Sequence, residues 1–397
     1  MLRGGYGLST LPFPDNAYLY NFPIKQNNVF TPTISSQPAG SMKAGFPDPI
    51  VAVIPSTGLI DAGSAALKSN AFFHAKPDMH EGSLHTYNVS IQRELAGRFT
   101  LDVAYVGNRS TNVQTQFNEN AAAAIGAPAS NVNLYRPLFV PFGKSADVTT
   151  WIPTRETYNS LQTKLDRRFN NGLLVTTSYT LGRGMSYTNG DSNTGIATPA
   201  DIERSWGRTD QDRLHSLNIS FLYQLPMGPD RRWVREGVAS QILGGWQVSG
   251  FFTAQSGLPI NFTADGTSLH APGNTQRPNV SGTPTVLGNA GPGQLWFDTS
   301  VFSAPAADTW GTATRNGVLD GPNYQNVDLV LAKVVSFAQR FKGEFRADIF
   351  NVLNKPHFDR PSGNFNSTNF GQITTVNDSN GGPPDQRTMR FGFRLTF

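Results

Sequence analysis

The stretch RTMRFGFRLTF (387–397) decides the reading of this chain. Met389, Phe391, Phe393, Leu395 and Phe397 share one parity, and Thr388, Arg390, Gly392, Arg394 and Thr396 share the other. Side chains alternate across a strand, so this is a β-strand with one apolar and one polar, arginine-bearing face. It runs to an aromatic at the carboxyl terminus, where most chains fray. A closing strand of a membrane β-barrel has a reason to end so, with its apolar face toward lipid and its polar face toward a wet lumen.

The same alternation recurs upstream. Period-2 segments are expected near 2–8, 84–95, 99–107, 158–169, 173–181, 214–225, 246–255, 327–337, 341–353 and 387–397. Each is close to the ~9–11 residues a tilted strand needs to cross a bilayer. Connections alternate in length. Ala-Gly-Arg (96–98), Asn170-Asn171-Gly172 and Ala-Gln-Arg (338–340) read as tight hairpins, whereas 9–83, 108–157, 182–213, 256–326 and 354–386 are long. Only the link 226–245, opening Pro226-Met227-Gly228-Pro229, breaks the short series. Counting back from Phe397 puts every tight turn at one end and every long loop at the other, which is the plan of an outer-membrane barrel. The expected fold is all-β: an antiparallel transmembrane β-barrel portion of about ten strands over 1–397, with short periplasmic turns and long extracellular loops. Asn120–Ile125 is expected to form at most one helical turn.

Composition agrees. Of 397 residues 15% are charged and 38% hydrophobic, with 39 Gly, 27 Pro and 27 Phe. Alternate exposure to lipid dilutes hydrophobicity, and raised Gly and Pro suit a turn-rich β architecture. No apolar run reaches the ~20 residues of a spanning helix. There is no cysteine, so disulfides and thiolate metal sites are excluded. The net charge of +4 is small for this length and the arginines are scattered, so no nucleic-acid partner is expected. The start, MLRGGYGLSTLPFP, lacks a signal peptide's apolar core and cleavage site, so residue 1 is expected not to be the true start.

Within the strands, Asp102, Lys164, Asp166, Arg168, Lys342, Glu344, Arg346, Asp348, Arg390 and Arg394 fall on the polar parity and are expected to face the lumen, pairing across strands. Met389, Phe391, Phe393, Leu395 and Phe397 are expected to form the signal read by the barrel-assembly machinery. His74, His80 and His85, with Asp78 and Glu81 nearby, match no metal-ligand spacing and read as polar loop residues. RGGYG (3–7) occurs once and opens a strand, so it is read as barrel and not as an RNA-binding repeat. Tyr105, Tyr179, Tyr223, Trp246 and Phe397 sit at strand ends, where an interfacial girdle is a simpler reading than sugar binding. No nucleophile–base or phosphate-binding constellation occurs, so neither an enzyme nor a cofactor is expected.

Several segments resemble the carboxyl-terminal barrel of Oar-like TonB-dependent outer-membrane receptors. They are YNVSIQRELAGRFTLDVAYVGNRS (87–110), YNSLQTKLDRRFNNGLLVTTSYTLGR (158–183), DRLHSLNISFLYQLPMG (212–228), GGWQVSGFFTAQSGLPINFT (244–263), FRADIFNVLNKPHF (345–358), NFGQITT (369–375) and the closing strand. The resemblance implies the outer membrane of a Gram-negative-type cell, uptake of an extracellular solute, and contact with outer-membrane lipid. It also implies energy from a TonB-type coupler, reached only through amino-terminal parts missing here. Receptors of this kind have roughly twice as many strands and a plug, so the chain is expected to be part of one. Two other readings are a surface adhesion protein acting through its loops and a small passive porin of these strands alone.

Overall fold

A computed structural model describes residues 1–12, 32, 34, 36–45, 68, 71–188, 195–229, 231–337, 341–376 and 386–397. Ten principal strands form one antiparallel meander in chain order: β1 (Leu2–Leu11), β2 (Gly82–Leu95), β3 (Phe99–Asn118), β4 (Val148–Asn170), β5 (Leu173–Ser186), β6 (His215–Gln224), β7 (Trp246–Gln255), β8 (Tyr324–Phe337), β9 (Phe341–Phe350) and β10 (Thr388–Thr396). Two-residue strands Phe72–Phe73 and Gly207–Arg208 join the edges of β4 and β5. Among the described residues β1 and β10 do not pair, so the sheet stays open along those two edges.

Register turns the alternation of single strands into two continuous faces. The lateral row Leu95–Phe99–Arg167–Val175–Phe221–Gly250–Leu329–Ile349–Met389 crosses β2 to β10 and is apolar but for Arg167. Arg167 lies at the turn end, where its guanidinium donates to the Gly97 and Leu173 carbonyls and stands over the Phe99 ring. The row Gln92–Asp102–Lys164–Ser178–Asn218–Thr253–Asn326 crosses β2 to β8 on the other face without an apolar residue. A register slip of one residue anywhere would swap the faces, and none occurs within these rows.

The turns at one end follow local chemistry. Asn171 and Gly172 both have positive φ (51° and 82°), the pair a tight two-residue hairpin requires. A side chain on Gly172 would also meet the Gln224 carbonyl. Ala96–Arg98 closes β2 to β3 through Gly97 at φ 77°. The expected turn at 338–340 lies outside the described residues.

Several boundaries differ from expectation. β3 and β4 run for 20 and 23 residues, not 9 and 12, because their pairing continues past Gly107 through polar residues. A hairpin rising beyond the bilayer has no need of an apolar face, so the periodicity stops while the hydrogen bonds go on. The shift at Asn112, φ 55°, lets β3 re-register there. β1 is longer than expected, pairing with β2 from Leu2 to Leu11. β9 stops at Phe350, where Asn351 takes φ 48° and its N–H donates to Asp328. Asn120–Ile125 forms no helical turn, because the Asn120 side chain binds the Lys144 and Ala146 carbonyls and the Leu138 N–H instead.

Candidate functional site

At the end opposite the tight turns, the long connections pack into a folded head. One apolar core holds Ile260, Phe262, Phe297, Phe302 and Ala313, with Phe365 and Phe370 against it, joining the β7–β8 connection to the β9–β10 connection. Its rings meet edge to face, as in Phe302–Phe370 at 5.3 Å and Phe262–Phe297 at 5.5 Å. A second core, Ala122, Leu269 and Ala271 with Ile125 and Trp310, joins the β3–β4 connection to the β7–β8 connection. The fully buried aromatic side chains of the described residues, Phe262 and Phe297, lie here and not on the sheet.

Beneath this core a buried ionic network ties head to sheet. Arg208 Nε donates to Asp212 at 2.8 Å and its Nη1 to Asp320 at 2.6 Å. Asp212 also accepts from the Gly184 N–H on β5 at 2.8 Å. Arg315 donates to the Ser186 carbonyl at 2.6 Å, and Asn316 to the Arg208 carbonyl and to Asp210. Burial disfavours the charge on Arg208, but Asp320 and Asp212 together hold its proton affinity above the ordinary value. Arg277, 4% exposed, has no such carboxylate among the described residues. Burial, with Arg204 and Arg315 nearby, pulls it down to about 10, which still leaves it a cation at neutral pH.

Beside the network opens a cleft of about 520 Å³, lined by Arg208, Asp320, Val286, Trp296, Asn323 and the 317–321 backbone. The Trp296 indole N–H is buried and has no acceptor among the described residues. The cleft therefore combines an aromatic wall with an Arg–carboxylate pair, a set suited to a polar organic solute.

The residues singled out from sequence lie elsewhere. Asp102, Lys164, Asp166, Lys342, Glu344, Arg346, Asp348, Arg390 and Arg394 share the polar face by register, while Arg168 falls in the irregular end of β4 where no partner is registered. Cross-strand pairing was expected of them. The ion pairs they make run along a strand instead, Lys164–Asp166 and Arg346–Asp348, each at 2.6 Å. Facing charges at Asp102/Lys164, Glu344/Arg394 and Asp348/Arg390 share register without closing to ion-pair distance. A residue two positions along one strand shares its face too, and a bent side chain reaches it as readily as the strand opposite. Met389, Phe391, Phe393 and Leu395 all stand exposed on the apolar face, Phe393 by 71%. The histidines diverge. His74 pairs with Glu119, His85 lies on β2 against Tyr6, and His80 lines a small pocket with Trp151. Arg208, Asp212, Asp320 and Trp296 carry no local signal in the sequence, because more than a hundred positions separate Arg208 from Asp320. The only available signal was phenylalanine placed outside the periodic segments.

A family model described as "Outer membrane beta barrel domain" matches residues 1–390. The chain belongs to this family. It is an outer-membrane β-barrel protein, in keeping with a sheet whose two faces divide apolar from polar along its length. No described helix is long and apolar enough to cross a membrane, which says nothing of strands. No curated protein matches it. Among solved structures it is similar to the ferripyoverdine receptor of the outer membrane of Pseudomonas aeruginosa, at 10% identity and TM-score 0.38, over 80% of this chain and 27% of that one. It is also similar to the outer membrane transporter YddB from Escherichia coli, at 8% identity and TM-score 0.41, over 83% of this chain and 34% of that one. The chain thus spans about a third or less of each.

Proposed function

We propose that this chain is barrel wall and outer head of an Oar-like TonB-dependent receptor, taking up an extracellular solute with energy delivered from the inner membrane. In this reading the apolar rows meet lipid, and the row through Asp102 and Lys164 lines the lumen with Arg346, Asp348, Arg390 and Arg394. His215 and Tyr223 mark the two rims of the apolar face on β6. Eight residues separate them, about 27 Å along the strand at ~3.4 Å each, or ~20 Å along the normal at a ~40° tilt. That is near the ~25 Å height of a lipid-facing band.

The observation that carries the uptake reading is the head. The first apolar core, against which Trp296, Val318 and Leu319 pack, and the Arg208 network hold a preformed cleft in the head. A passive pore works best with an open mouth, whereas a receptor must first hold its solute from dilute medium, and a rigid, partly apolar cleft with a few oriented polar groups does so. Terminal-strand residues Met389 to Phe397 are assigned to the assembly machinery, supported by their uniform exposure on one face.

The test is solute capture. The full-length receptor, extracted folded from outer membranes, is incubated with spent medium and washed, and the retained small molecules are identified by mass spectrometry. A species retained by the parent and lost in Trp296→Ala and Asn323→Ala is expected. Identical retention by parent and variants would remove the cleft from the proposal.

A further inference from the structure

At the tight-turn end, periplasmic in an outer-membrane barrel, the β6–β7 link is built rather than merely long. The Leu225 N–H donates to the Trp246 carbonyl and the Trp233 N–H to the Pro226 carbonyl, both at 2.9 Å, and the Gly228 N–H returns to the Trp233 carbonyl at 3.1 Å. The chain then turns at Val234, φ 53°, a left-handed conformation that a β-branched residue adopts only when its surroundings impose it. A short helix follows, Gly237–Leu243.

That helix is fastened to the apolar side of the sheet. Lys333 Nζ donates to the carbonyls of Gln241 at 2.9 Å and Ile242 at 2.5 Å, and Trp246 Nε1 donates to Ile242 at 3.0 Å. Trp246 and Lys333 are register partners in the row that continues to Phe345 and Phe393, the apolar face. Gly245, φ 73°, accepts from the Val334 N–H at 3.1 Å, an approach that a side chain there would block. The helix therefore sits outside the rim, not across the mouth.

Its uncovered surface is largely apolar, with Gln241 and the preceding Glu236 the exposed polar exceptions. Val238 is 75% exposed and Ile242 60%, with Leu243, Trp233 and Val234 exposed beside them. Arg231, Arg232 and Arg235 adjoin this patch: Arg232 lies over the Trp233 ring, Arg231 donates one N–H to the Gln224 side chain and Arg235 one to the Arg231 carbonyl. Exposed aliphatic residues, one tryptophan and a run of arginines describe a segment lying in a membrane interface, its apolar side chains among acyl chains and its cations at phosphate level.

We propose that residues 231–243 form an interfacial anchor in the periplasmic leaflet, seating Trp233, Val238, Ile242 and Leu243 in the bilayer and binding anionic phospholipid headgroups through Arg231, Arg232 and Arg235. The occupant follows from continuity with the apolar face and from charge complementarity. The inference rests on the assignment of that face to lipid. The anchor fixes the height and rotation of β6 and β7 in the membrane, directly below the strands that carry the head.

The chain has no cysteine, so single nitroxide labels can be placed cleanly. Val238→Cys, Ile242→Cys and, as a reference on the apolar face, Val103→Cys are introduced into the full-length receptor and labelled in isolated outer membranes. All three labels should be severalfold more accessible to oxygen than to a water-soluble nickel chelate, relative to a label at Tyr135→Cys in the head. Nickel access at 238 and 242 with a lipid-exposed 103 would overturn the anchor alone. Nickel access at 103 would overturn the facing assignment and the anchor with it. Labels at 238 and 242 shielded from both reagents would report a protein partner, also against the proposal. Headgroup binding is read in liposomes as quenching of a fluorophore at residue 238 by brominated phosphatidylglycerol against brominated phosphatidylcholine. The anionic lipid should quench more strongly, and the combined Arg231→Gln, Arg232→Gln and Arg235→Gln variant should lose that preference while keeping its depth. Equal quenching in the parent would overturn the headgroup assignment.

Discussion

Lys144 shows how far single residues in the head depart from loop chemistry. Its side chain is fully buried, with the ammonium 3.7 Å over the Phe72 ring, and burial lowers its pKa from 10.5 to about 8. Below pH 8 the group is charged in both folded and unfolded chains, and the cost of burying that charge is present in full. Between about 8 and 10.5 the folded chain has released the proton while the unfolded chain still holds it, so stability rises with pH across that window. Protease resistance of the head, titrated from pH 7 to 10, should rise in the parent relative to Lys144→Met, and a constant difference between the two would contradict the shift. Asp212 works in the opposite sense. It is buried against Arg208 and accepts from Gly184, so Asp212→Ala leaves a buried guanidinium half-paired and an N–H unpartnered. A loss of roughly 3–5 kcal/mol is expected. It should appear as early cleavage within 256–323 while the barrel keeps its heat-modifiable migration, and a loss below about 1 kcal/mol would show that the pair contributes little.

A strand is judged by its face. Val103 and Asp102 are neighbours on β3 that register with Thr163 and Lys164, on opposite faces. Val103→Arg should cost roughly 2–4 kcal/mol if it meets the bilayer midplane, and Asp102→Asn far less. Urea titration of the folded barrel in lipid vesicles measures both, and equal costs would mean that the faces are not divided between lipid and water. β10 carries the same division to Leu395, so in the full-length receptor Phe393→Asp with deletion of Phe397 should prevent insertion. Unchanged heat-modifiable protein in the outer membrane would end the assembly-signal reading. Strand cores were legible because a sheet with one apolar and one polar face imposes a period of two on its side chains. The upper halves of β3 and β4 were not, since above the bilayer backbone pairing continues with no such force on the side chains.

Among the described residues the molecule is a sheet whose edge strands, β1 and β10, do not pair with each other, with a packed head at one end. Lipid offers no hydrogen bonds, so those edges must be covered, by each other or by further strands. In our reading the strands belong to a wider barrel, so residues 1–397 exported with an added signal peptide should accumulate poorly. Reproducible single-channel steps from this chain in planar bilayers would show instead that the edges join, and the passive-porin reading would displace the receptor.

What the amino-acid sequence determined by itself is the wall: ten strands, their faces, the end that bears tight turns and the end that bears loops, each written locally in alternation and in Asn-Gly chemistry. What only the tertiary structure decided is the head and the anchor. Arg208 meets Asp320, and Phe262 meets Phe370, across more than a hundred residues each. Lys333 finds the Gly237–Leu243 helix ninety residues upstream. Such contacts leave no period in the chain, because they depend on how loops from different hairpins converge once the sheet has brought their ends together.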